Sequence, residues 1–109
     1  MSRTPYLDRF IESCKQQAPE GGGERFLGWE TIVTVLVIEG LRLLLSELRE
    51  WARLGATAIA MKRQQLRARL REYALEKELD FPAAEQAAEV IAEKINEENL
   101  ERIIKDLQA

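Results

Sequence analysis

Side chains able to shuttle protons, attack carbonyls or ligate metals are scarce in this 109-residue chain, which has no histidine and one cysteine. The missing histidine removes the commonest general acid/base, every Ser/His or Cys/His nucleophile pair and the commonest metal ligand. Cys14 can form no internal disulfide and is no zinc site by itself. Its place on the apolar stripe of an expected first helix predicts a buried structural thiol rather than a nucleophile. Two carboxylate sets stand close in sequence, Glu76, Glu78 and Asp80, and Glu93, Glu97 and Glu101. The second recurs every four residues, as a cation site on one helix face would, but Asn96 is expected to break that helix, and no E-x-x-H pair or calcium-loop pattern is present. Both sets are expected to be solvated acidic faces. The glycines of Pro19-Glu20-Gly21-Gly22-Gly23-Glu24 match neither phosphate-loop spacing, no strand precedes them, and two glutamates would repel an anion, so a flexible linker over 19–28 is expected. No catalytic residue, metal site, cofactor or small-molecule substrate follows, and the chain is not expected to be an enzyme.

What remains is electrostatic. Sixteen basic and nineteen acidic residues leave a net charge of −3, but the distribution is uneven. Residues 1–48 carry −2, residues 49–71 carry +6 and residues 72–109 carry −7. The basic block is centred on Lys62, Arg63, Arg67, Arg69 and Arg71, spaced on adjacent faces of an expected helix whose apolar side holds Leu66 and Leu70. Such a block can bind nucleic-acid phosphates, lie on an anionic membrane surface, or attract the acidic C-terminal segment of the same or a neighbouring chain. The third use needs no outside ligand, and complementary charge of that kind fixes register and partner choice. Nucleic-acid binding is less well supported. A helix-turn-helix reading of 48–70 has the alanine-to-glycine spacing one residue short, no aromatic is interleaved for base stacking, and the isoelectric point is about 5.1.

Helices must position these groups. Thr4 and Pro5 form a start signal for a helix running to about Ala18, with Leu7, Phe10, Ile11, Cys14 and Ala18 on one face. From Trp29 to Leu79 there is no proline, and Val33, Val37, Leu41, Leu44, Leu48 and Trp51 repeat at three- and four-residue spacing, a seam that resumes through Ile59, Leu66 and Leu70. Val35, Leu36, Ile38, Leu43 and Leu45 make the other faces of this stretch apolar too, which implies burial nearly all round. The alanines at 56, 58 and 60 favour one continuous or gently kinked helix of about 50 residues, roughly 75 Å long, over a hairpin turning at Gly55. Asp80 and Pro82 open a further helix with an alanine-rich face (Ala84, Ala87, Ala88, Ile91, Ile95), and after Asn96 a last one carries Leu100, Ile103, Ile104 and Leu107. These two are expected to form an acidic C-terminal hairpin over 80–109.

The expected fold is therefore all-α and a single unit, in four parts: 1–18, a linker at 19–28, a long central element at 29–79, and 80–109. A chain this short buries only about two-thirds of its unfolded surface, so the apolar central helix is expected to find cover on other chains. The expected function is non-enzymatic: an interaction or assembly protein that self-associates or docks as a small subunit of a complex through its apolar residues. The alternatives are a nucleic-acid-binding regulator using 62–71 and a membrane-associated protein embedding 29–48. The apolar run Thr31 to Ile38 is far shorter than a span, and Glu39 and Arg42 interrupt its continuation. No secretory signal is expected, because Arg3, Asp8 and Arg9 occupy the first ten residues, and a cytoplasmic location is the default.

Overall fold

Proline, glycine and asparagine set most of the helix ends. The computed structural model describes residues 3–18 and 28–109, and the expected linker lies outside them except for Gly28. Among the described residues there are six helices and no strand: α1 (Pro5–Lys15), α2 (29–43), α3 (Leu45–Leu54), α4 (Ala56–Glu76), α5 (Phe81–Lys94) and α6 (Glu97–Leu107). Pro5 and Pro82 stand in the first turns of α1 and α5, where a missing N–H is harmless. Asn96 caps α6: its side chain accepts from the Asn99 N–H at 2.9 Å while Asn99 Oδ1 accepts from the Asn96 N–H at 2.9 Å. The start of α1 is completed from the far end of the chain, where the Asp106 carboxylate, 9% exposed, accepts from the Leu7 N–H at 2.9 Å. A buried anion at a helix N-terminus satisfies an orphan donor and suits the helix dipole.

The continuous central helix does not form. Gly55 takes φ 99° and ψ −172°, a conformation essentially restricted to glycine, and it ends α3 and starts α4. A rod of about 75 Å would leave its seam in water, whereas turning back buries it. The fold measures 40 × 34 × 24 Å with a radius of gyration of 13.2 Å, the size of a compact domain of about this length. Two further irregularities precede the turn. Residues Leu36–Gly40 form a π-helical turn inside α2, and Leu44 (φ −98°, ψ 13°) separates α2 from α3. The fold-back brings α2 and α4 so close that a Cβ on Gly40 would sit 2.8 Å from Leu70 Cδ2.

Helix α2 is the centre of the core and is covered by the chain itself. Trp29, Ile32, Val33, Leu36, Val37 and Leu41 are buried against α1, α4 and α5, so the expectation that a single chain could not cover this helix is corrected. Small side chains make this possible. Ala83, Ala84, Ala87, Ala88 and Ala92 are all buried and let α5 lie close against both α2 and α4. The C-terminal hairpin is likewise corrected. Helix α5 packs on α4 and α2, whereas α6 packs on α3 and α1, because Ile95 (ψ 128°) and Asn96 (φ −145°, ψ 178°) are extended and redirect the chain between them. No helix among the described residues is long and apolar enough to cross a membrane. Among the described residues Leu43, Leu54, Met61 and Leu75 are the large apolar side chains left exposed.

Candidate functional site

The two residue sets singled out by the sequence both turn inward. Val33, Val37, Leu41, Leu44, Leu48, Trp51, Ile59, Leu66 and Leu70 are all buried in one hydrophobic cluster, so the apolar seam is core. Trp29 joins it, with its indole N–H donating to the Lys15 carbonyl at 2.9 Å. The basic set is half-buried and dispersed over the packing surfaces of α4. Arg63 donates through Nε and Nη2 to the Ile95 carbonyl at 3.2 and 3.0 Å, satisfying an acceptor at the end of α5. Arg69 pairs with Glu47 of α3 at 3.1 Å. Arg71 faces Glu85 at 3.8 Å and lies 5.7 Å from the centre of the Phe81 ring. Arg63 and Arg67 share a shallow recess with Glu89 and Glu93, and Lys62 stands half-buried one residue before. The +6 segment thus lies against the acidic segment of its own chain.

The other candidate groups are equally settled. Cys14 is fully buried, and burial pushes its thiol up to about 12, with the Lys94 charge drawing it slightly back. Tyr73 is also buried; its phenol is raised by burial first and then by the hydrogen-bonded Glu39 carboxylate beside it. Among the described residues no three cysteine, aspartate or glutamate side chains come together as metal ligands.

The concave feature with concentrated, unspent charge lies elsewhere. Tyr6, Arg9, Phe10 and Ser13 of α1, Lys94 at the end of α5, and Asn99 and Arg102 of α6 line an open cleft of about 380 Å³. Residues 6, 9, 10 and 13 fall on one face of α1 by helical spacing, while the extended Ile95-Asn96 link swings Lys94 and Arg102 to the opposite wall. The Tyr6 ring holds both guanidiniums, Arg9 at 5.9 Å and Arg102 at 5.5 Å from its centre. Lys94 Nζ donates to Ser13 Oγ at 2.9 Å. Asn99 braces the rim by donating to the Lys94 carbonyl at 2.6 Å. The lining contains three cations and no carboxylate, and none of the three forms an ion pair among the described residues. Cations stacked on an aromatic face keep their N–H edges free for an anion. Sequence reasoning missed this site because its charges come from positions 9, 94 and 102; the local signal was an aromatic, a cation and a hydroxyl at i, i+3 and i+7 on α1. Comparison with family models, curated proteins and solved structures finds no match to this chain, so its own geometry is the guide to its role.

Proposed function

We propose that this protein works by binding, as a non-enzymatic helical interaction protein that docks as a small subunit onto an anionic segment of a partner chain. The observation that carries this reading is the cleft between α1, α5 and α6, where Arg9, Lys94 and Arg102 converge without a carboxylate to neutralise them. Like charges gathered in a concave site focus potential outward and attract a segment of opposite sign. The walls are held by the core through Phe10 on one side and by the capped start of α6 on the other, so the arrangement is preorganised. The apolar seam supports docking only indirectly. Being buried within the chain, it offers no docking surface, and the partner meets the cleft rather than the seam.

Titration of the isotopically labelled protein with a hexaglutamate peptide at low salt tests the reading. Amide resonances of Tyr6, Arg9, Ser13 and Arg102 are expected to shift, and the double substitution Arg9→Ala and Arg102→Ala to weaken binding at least tenfold with the fold intact. Shifts confined to α4, or binding indifferent to the double substitution, would assign the contact to another surface and overturn the proposal.

A further inference from the structure

We infer that the anion this cleft takes is a phosphate monoester, carried as a phosphorylated side chain on the docking segment of the partner. This rests on the docking reading and narrows it by the number and kind of donors present. A carboxylate offers one charge and two oxygens. A phosphate monoester near neutral pH carries close to two charges and three terminal oxygens. The cleft supplies two guanidiniums, each a planar fork of N–H groups matched to paired oxygens, and one ammonium as a point charge. Three cations facing one carboxylate would retain most of their mutual repulsion, whereas a dianion offsets it more fully. The neutral groups agree: Ser13 Oγ accepts from Lys94 and the Asn99 side-chain oxygen accepts from the Asn96 N–H, so each has a lone pair already engaged within the chain. The lining is therefore rich in donors and holds no charged acceptor, which suits a ligand that only accepts hydrogen bonds. The volume, about 380 Å³, accommodates a phosphorylated side chain with its flanking backbone.

The test compares four probes on the intact protein by calorimetry and amide shifts: a capped pentapeptide with a central phosphoserine between alanines, its serine and glutamate counterparts, and inorganic phosphate. Expected are binding of the phosphopeptide at least tenfold tighter than of the glutamate peptide, shifts at Tyr6, Arg9, Ser13 and Arg102, and no detectable binding of the serine peptide. Arg9→Ala and Arg102→Ala should each weaken the phosphopeptide at least tenfold without moving the thermal midpoint by more than about four degrees. Lowering the pH from 7.5 to 5.5 should weaken it about fourfold, because the phosphate takes up its second proton near pH 6. Equal affinity for glutamate and phosphoserine would overturn the phosphate assignment and leave the docking reading standing. Inorganic phosphate binding as tightly as the phosphopeptide would do the reverse, keeping the phosphate site and removing the partner chain. Failure of every probe to shift the cleft residues would overturn both.

Discussion

Helix α4 carries Lys62, Arg63, Arg67, Arg69 and Arg71 within ten residues of sequence, whereas the cleft draws Arg9, Lys94 and Arg102 from three helices. In the dense block three of the five, Arg63, Arg69 and Arg71, are spent on partners within the chain. At 100° per residue a helix spreads five cations around its circumference, and each neighbour that packs on α4 answers part of the charge: Glu47 from α3, Glu85 from α5 and the Ile95 carbonyl at the end of α5. The sparse trio is the unspent one, because no carboxylate lines the cleft that gathers it. Charge density along a sequence and charge density in space are thus separate quantities here, and the second decides what a ligand meets.

The largest effect should come from removing the turn that gives α4 its neighbours. Gly55→Ala meets no steric obstacle, since nothing lies within 4 Å of a Cβ there, but φ 99° with ψ −172° is strained for any L side chain. A loss of about 1–3 kcal/mol in chemical denaturation is expected. An unchanged midpoint would mean that α3 and α4 tolerate another geometry, and the neutralised state of the basic block would lose its explanation.

Next in size is the contrast between single arginines of the two regions. Arg63→Ala leaves the Ile95 carbonyl without its charged donor and should cost about 1–2 kcal/mol. Arg9→Ala removes a surface stacking contact and should change stability by no more than about 0.5 kcal/mol. Denaturation curves for both variants decide the matter: if Arg9 proves the costlier loss, the division into a structural and a binding set of cations fails.

The core face of α1, behind the cleft residues Arg9 and Ser13, gives a prediction in pH. Cys14 follows Ser13 on α1, and burial raises its thiol from 9.0 to about 12. Below pH 9 the thiol is protonated whether the chain is folded or not, and the stabilisation is fully present. Above pH 9 the unfolded chain releases the proton while the folded one retains it up to about pH 12, so stability falls through that window. Between pH 8 and pH 10 the native protein should lose about 1.4 kcal/mol more than Cys14→Ala does. Equal losses would mean that water reaches the thiol and that the core face of α1 is not dry.

Much of this architecture was legible in the sequence. The all-α class, the starts near Pro5 and Pro82, the break at Asn96 and nearly all of the buried stripe follow from helical periodicity and helix-end residues, which are local signals. The misses have non-local causes. Gly55 reads as a tolerable helix residue until the gain from folding Ile59, Leu66 and Leu70 back onto 36–54 is counted. The π turn at Leu36–Gly40 and the break at Leu44 carry no proline or cap to announce them, and the π turn packs against α4 and α5. The apolar excess of α2 points to other chains only as long as the buried alanines of α5, which let it approach closely, are not known to face α2. The cleft could not be foreseen, since its walls are about ninety residues apart in sequence.

The smallest predicted effect separates the two regions by sign. Moderate sodium chloride screens attraction and repulsion alike. Around α4 the exposed parts of the pairs Arg69–Glu47 and Arg71–Glu85 are attractive, so salt should weaken them by a few tenths of a kcal/mol. In the cleft Arg9, Lys94 and Arg102 chiefly repel one another, so salt should relieve that repulsion by a similar amount. Neither change is readable in the native protein, where they cancel, but each emerges by subtraction. The Arg69→Ala and Arg71→Ala variant should be stabilised by salt relative to the native chain, and the Arg9→Ala and Arg102→Ala variant should be destabilised relative to it. Midpoints measured between 20 and 300 mM chloride give both differences. If both carry the same sign, the cations of the cleft are already neutralised by something in the folded chain, and the main reason for an anion to settle there is gone.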